Sequence, residues 1–159
     1  MAPPTYSVGQ VLTANDCNVW FVPVAAYKTA TTVRNTLTKS IDPDLQITLA
    51  ASSVYQIEAG IIYTSANAMD FTWVVPASAT GGYTTSHNLA GTGAGTWGFV
   101  WGATVSAAAL GGSVNGVQVH GMIQTAASGG TFGISWASNV GPASLTLGVG
   151  SVLTARRVG

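Results

Sequence analysis

The sequence predicts an all-β protein, a single β-sandwich of jelly-roll type, and three observations carry that expectation. Apolar and polar residues alternate at a period of two along much of the chain, the pattern of strands with one buried face. Clusters of glycine with Ser, Thr, Asn or Pro separate those runs, as the turns of a sandwich require. No window holds an apolar period of 3.6 with caps, and β-branched residues and glycine stand where helix formers belong.

The elements follow in order. Residues 1–12 lack core patterning, contain Pro3 and Pro4, and are expected to form an N-terminal arm, with the sandwich occupying 13–159. Thr13 to Val19, with Asp16, is the one place where a helical turn is expected. Leu45, Ile47 and Leu49 then alternate with Asp44, Gln46 and Thr48. Tyr55, Ile57, Ala59, Ile61 and Tyr63 form one side of a strand whose other side carries Gln56, Glu58 and Thr64. Phe71, Trp73 and Val75 oppose Asp70 and Thr72, and Pro76 ends that run because it cannot donate to a ladder. Trp97, Phe99 and Trp101 give a further strand, Val117, Val119 and Gly121 another with Gln118, His120 and Met122 outward, and Phe132, Ile134 and Trp136 another. The last runs from Leu145 through Leu153 to Arg156 and Arg157. Between them lie Gly81-Gly82, Gly111-Gly112, Asn115-Gly116, Gly129-Gly130 and Gly141-Pro142, and the glycine-rich segment from Thr84 to Thr96 is expected to be a mobile surface loop.

Composition narrows the function. At 159 residues the chain has a single-domain length and can bury a core without a metal or disulfide. Only 6% of its residues are charged, and five basic residues balance five acidic ones. A neutral surface offers no general attraction for nucleic acid or an anionic membrane, and little self-repulsion keeps copies apart, which favours assembly. The single cysteine, Cys17, is read as a small buried hydrophobe. The N-terminus lacks the pattern of a secretory signal, which places synthesis in a cytoplasm. The apolar stretch from Gly98 to Gly112 is shorter than the roughly 20 residues of a membrane span.

Catalytic chemistry finds little to work with. Acid/base catalysis needs titratable groups in a shared pocket, yet no Asp, Glu, Lys or Arg lies between Asp70 and Arg156. Glu58 and Asp70 are read as solvated residues on polar strand faces rather than a hydrolytic pair. His87 and His120 share no ligand-like spacing with a carboxylate or thiolate, so no metal and no cofactor is expected. Gly91-Thr92-Gly93-Ala94-Gly95 is followed by Thr96 and a strand, unlike a dinucleotide loop. Trp73, Trp101 and Trp136 are assigned to the core by their alternation, which leaves Trp20, Tyr83 and Trp97 as the aromatics whose exposure decides whether a sugar-stacking platform exists. The chain is therefore expected not to be an enzyme.

Five stretches carry a resemblance that spans most of the chain: Val11-Leu12-Thr13-Ala14-Asn15-Asp16 with Asn18-Val19-Trp20 and Val22-Pro23; Asp44 to Leu49 leading into Tyr55-Gln56-Ile57-Glu58; Trp73-Val74-Val75-Pro76-Ala77; Gly130 to Ala137; and Gly150 to Arg157. Together they resemble the small β-rich virion domains of tailed phages that infect actinobacteria. One departure is Ser138-Asn139, where similar sequences often place glutamine after the tryptophan-alanine pair. The resemblance implies a jelly roll commonly assembled in threes, either decorating a capsid or ending a tail or fibre protein.

Since the chain shows no heptads, shaft repeats or second domain, it is expected to be a stand-alone module. The leading expectation is a capsid decoration (cement) protein on the virion surface, a homotrimer whose partner is the major capsid protein. A tail-tip or fibre module that binds host glycan and a carbohydrate-binding module are the alternatives. Expected partner contacts are Pro3, Pro4 and Tyr6 in the arm, and Tyr83, His87 and Asn88 at the glycine-rich loop.

Overall fold

A computed structural model describes residues 7–11, 13–14, 22–89, 93–109, 113–141 and 143–159, with the backbone alone for 88, 89, 93, 94, 96 and 97. Among these residues the regular structure is almost wholly β. The strands are β1 (Val24–Tyr27), β2 (Thr32–Arg34), β3 (Ser40–Leu49), β4 (Val54–Ser65), β5 (Met69–Val74), β6 (Thr80–Leu89), β7 (Gly93–Val100), β8 (Val105–Ala107), β9 (Val114–Gln124), β10 (Gly130–Ser138), β11 (Leu145–Leu147) and β12 (Val152–Arg157).

Two antiparallel sheets pack face to face. The larger runs β1-β12-β4-β9-β6-β7, with β11 joining β2 to β4, and the smaller runs β3-β10-β5-β8. Number only β1, β3, β4, β5, β8, β9, β10 and β12 from one to eight, and the sheets read 1-8-3-6 and 2-7-4-5. That is the jelly-roll path of two interlocked Greek keys. The hairpin β6–β7 is an insertion between the fourth and fifth of these strands, and it widens the larger sheet beyond β9.

Alternation places the core between the sheets. Ile57, Ile61 and Tyr63 from β4, with Val117, Val119 and Ile123 from β9, face Leu45 and Leu49 from β3, Phe71 and Trp73 from β5, and Phe132, Ile134 and Trp136 from β10, all buried. At one end the aromatic rings interlock: Trp73 stacks on Phe132 at 5.2 Å, Tyr83 stacks on Trp101 at 4.5 Å, and Trp101 meets both Trp73 and Phe132 edge-on. Offset and edge-on pairs of this kind are the favoured aromatic geometries. Gly121 makes the cluster possible, because a Cβ there would lie 2.7 Å from Trp101 Cζ2 and 2.7 Å from Tyr83 Cβ.

One irregularity shapes the opposite end. Gly133 pairs with Gln46 while Ser135 pairs with Ile41, so a single residue of β10 faces the four residues Asp42, Pro43, Asp44 and Leu45. The bulge forms where Pro43 has no amide to give the ladder. It rotates Asp42 out of strand alternation and into the interior, where it is fully buried.

The segment from Thr84 to Thr96 differs from its expectation as a mobile loop, since most of it is strand, paired from Gly82↔Val100 to Leu89↔Gly93. Its inward positions include Thr85 and His87, both polar, so apolar periodicity did not mark it as a strand. The helical turn expected over Thr13 to Val19 lies almost wholly outside the described residues, as do Cys17 and Trp20.

Candidate functional site

The broadest presented surface is the outer face of the larger sheet. Register aligns Ala25, Thr154, Glu58, His120, Thr84 and Gly98 in one row across six strands. A second row carries Tyr27, Val152, Gly60, Gln118 and Ser86, and a third Arg156, Gln56, Met122, Gly82 and Val100. The acidic and basic side chains in these rows are Glu58, His120 and Arg156, and the other described side chains are amides, hydroxyls, small residues and exposed apolar groups such as Tyr27, Met122 and Val100.

The polar groups on this face are tied to one another. Arg156 donates to Gln56 Oε1 at 2.6 Å, and Gln56 Nε2 donates to Glu58 Oε1 at 3.1 Å. Thr154 and Thr84 hydroxyls donate to the backbone carbonyls of Glu58 and His120. Two shallow depressions mark the face. One, of about 310 Å³, is lined by Glu58, Gly60, Gln118, His120, Val152 and Thr154, and the other, of about 410 Å³, by Pro23, Gln56, Glu58, Thr154 and Arg156. Gly60 keeps the first open, since a Cβ there would meet Gln118 Nε2 at 3.4 Å and Val152 Cγ1 at 3.7 Å. Neither is an enclosed chamber, and their chemistry is that of contact: amides, hydroxyls and one hydrogen-bonded relay from Arg156 through Gln56 to Glu58.

The expected contact residues fall in different places. Tyr83 and His87 are corrected from surface contacts to interior residues, 4% and 3% exposed. Strand alternation turns both toward the core, where burial pushes the Tyr83 phenol up to about 12 and pulls the His87 imidazole below its ordinary value. Asn88 contributes its backbone to the hairpin opposite Ala94, and its side chain lies outside the described residues. Pro3, Pro4 and Tyr6 lie outside the described residues as well, as does the Trp97 side chain. Trp73, Trp101 and Trp136 are core residues as the alternation predicted. Glu58 and Asp70 stand on different sheets, so they share no site. Among the described residues no three of His, Cys, Asp and Glu gather as a metal-holding group.

A second constellation had no expectation attached to it. Lys28, just past β1, is 1% exposed. Its Nζ lies 3.1 Å from both Oδ1 and Oδ2 of Asp42 and 2.9 Å from Oδ2 of Asp44. Asp42 Oδ1 also accepts from the backbone amides of Asp44 at 3.0 Å and Leu45 at 3.3 Å, while Oδ2 accepts from Trp136 Nε1 at 3.1 Å. The side chains of Lys28 and Asp42 are wholly buried, whereas that of Asp44 is 41% exposed. A lysine reads as a surface residue in sequence, and its partner enters the interior only through the β3 bulge, so no local signal announced this group.

No protein-family profile matches the chain, and no curated protein matches it in sequence. Among solved structures, those of infectious bursal disease virus, Gt strain and Gx strain, overlap 84% and 98% of this chain at 8% and 11% identity, each with a TM-score of 0.21. The chain spans 40% and 44% of those chains' lengths. Similarity at that level assigns nothing to this chain.

Proposed function

We propose that this protein is a non-catalytic structural component of a virion, a capsid decoration protein of tailed-phage type. It assembles with itself in threes, and the outer face of its larger sheet seats on the major capsid protein. The observation that carries the proposal is that face: six strands wide and nearly uncharged, with depressions too shallow to enclose a substrate. A stable protein interface buries about 1,600 Å² in total, and such contacts repeated over a lattice reinforce a shell without chemistry. The jelly-roll path and the sequence resemblance support the same reading.

The test is the protein content of purified virus particles together with the mass of the isolated chain by light scattering. Many copies per particle and a trimeric mass are expected. Absence from particles, with tryptophan fluorescence that responds to added sugars, would replace this reading with a carbohydrate-binding one.

A further inference from the structure

We propose that Lys28 and Asp42 join covalently, forming an intramolecular amide between Lys28 Nζ and Asp42 Cγ with Asp44 as the proton carrier. The inference is independent of where the protein resides. It rests on a group of side chains that has every part such a reaction needs.

The nucleophile is in place. Nζ sits at equal distances, 3.1 Å, from both oxygens of Asp42, so it lies on the plane that bisects the carboxylate and must move from this ion-pair position onto the face of Cγ to attack. Contact of this kind, held by a folded core, supplies effective molarities of about 10⁵–10⁸ M. Oxygen charge developing on Oδ1 meets two backbone amides, those of Asp44 and Leu45, the arrangement that stabilises a tetrahedral oxyanion. The departing oxygen, Oδ2, is held by Trp136 Nε1. Asp44, 2.9 Å from Nζ, relays the two protons that nitrogen gives up, one from the ammonium before attack and one from the tetrahedral intermediate, to Oδ2, which leaves as water. Its partial exposure gives the released water a way out, while the wholly buried Lys28 and Asp42 side chains keep bulk water from reversing the step.

The balance is simple. The ammonium of Lys28 and the carboxylate of Asp42 become one amide and one water: the N–C bond forms, the Cγ–Oδ2 bond breaks, and two protons leave nitrogen with that oxygen. No oxidant, reductant or activated donor takes part. Burial favours the product, because two charges in a low-dielectric interior are exchanged for a neutral, hydrogen-bonded amide. The bond ties the end of β1 in the larger sheet to β3 in the smaller one, so a force that pulls the sheets apart meets a covalent link.

Intact mass spectrometry of the purified full-length chain tests this. The wild-type protein is expected one water lighter than its sequence. Trypsin cuts after Arg34 and Lys39, both between the joined residues, so digestion should release a branched peptide linking Lys28 to Asp42. Asp44→Ala keeps both reacting groups and alters a partly exposed site, and it should retain the full mass, as should Lys28→Ala. A wild-type chain at full mass, with Lys28 recovered in a linear peptide, would overturn the proposal. A linked Asp44→Ala chain would overturn the role given to Asp44.

Discussion

The guanidinium of Arg34 lies 4.0 Å from the centre of the Trp136 ring and pins strands of both sheets together. Its Nη1 donates to the carbonyls of Ser40 and of Trp136, the latter at 2.7 Å, and Nη2 to that of Ile41 at 3.0 Å. Only a planar, forked cation satisfies three carbonyls while lying over a ring. Arg34→Lys should therefore destabilise the fold by about 1–3 kcal/mol, read as a lower denaturant midpoint with an unchanged slope.

Gly121→Ala strikes the aromatic cluster. The added methyl would lie 2.7 Å from Trp101 and Tyr83 carbons and 2.8 Å from the Gly82 carbonyl, so rings or backbone must shift. Overpacking of this kind costs about 1–3 kcal/mol. The near-ultraviolet circular dichroism of the tryptophans should weaken along with the melting temperature.

Tyr83 gives a prediction of the opposite sign. Its hydroxyl is buried with no hydrogen-bond partner among the described residues, and a buried orphan of that kind costs about 1–3 kcal/mol. Tyr83→Phe should raise the denaturant midpoint. Burial also pushes the phenols of Tyr83 and Tyr63 up to about 12 from the ordinary 10.0. The unfolded chain then ionises first, so this contribution is complete below pH 10 and is lost as pH climbs toward 12. Alkaline loss of stability should be shallower in Tyr83→Phe, measured by midpoints across that range.

His87 governs the acid side. Burial holds its imidazole below the ordinary 6.5, so in acid the unfolded chain takes up a proton that the folded chain resists. Its contribution is whole above pH 6.5 and is lost as pH falls through the lowered folded value. Replacing it, as in His87→Gln, should flatten the decline in denaturant midpoint between neutral pH and about pH 5.

Much of the core was legible because β4 and β5 alternate in burial and β10 alternates large apolar with small residues: Ile57, Ile61, Phe71, Trp73, Phe132 and Trp136 are all buried as their spacing implies. Strand β6 and the start of β7 were not, since the inward Thr85 and His87 carry no apolar signal and the glycines there read as a loop, whereas the strand expected at Trp97 and Phe99 is the end of β7. Tyr83 was mistaken for a surface aromatic for the same reason. Lys28 and Asp42 were hidden more deeply. Their meeting depends on a bulge and on two strands in different sheets, a relation of distant segments that local patterning does not encode. The outward setting of Glu58 and His120 was readable, while their alignment in one row across the sheet came only from register.

The most direct measurement of the central claim is saturation binding to capsids of its own virus assembled without the protein, comparing wild type with the double variant Thr84→Lys, Gln118→Lys. Both positions are exposed on the outer face of the larger sheet, and surface substitutions there should alter stability by no more than about 0.5 kcal/mol. The account predicts that wild type saturates capsids at many copies while the variant, equally stable, fails to bind. Failure of the wild-type chain to bind would contradict the decoration role, and equal binding by both would contradict the face assigned to it.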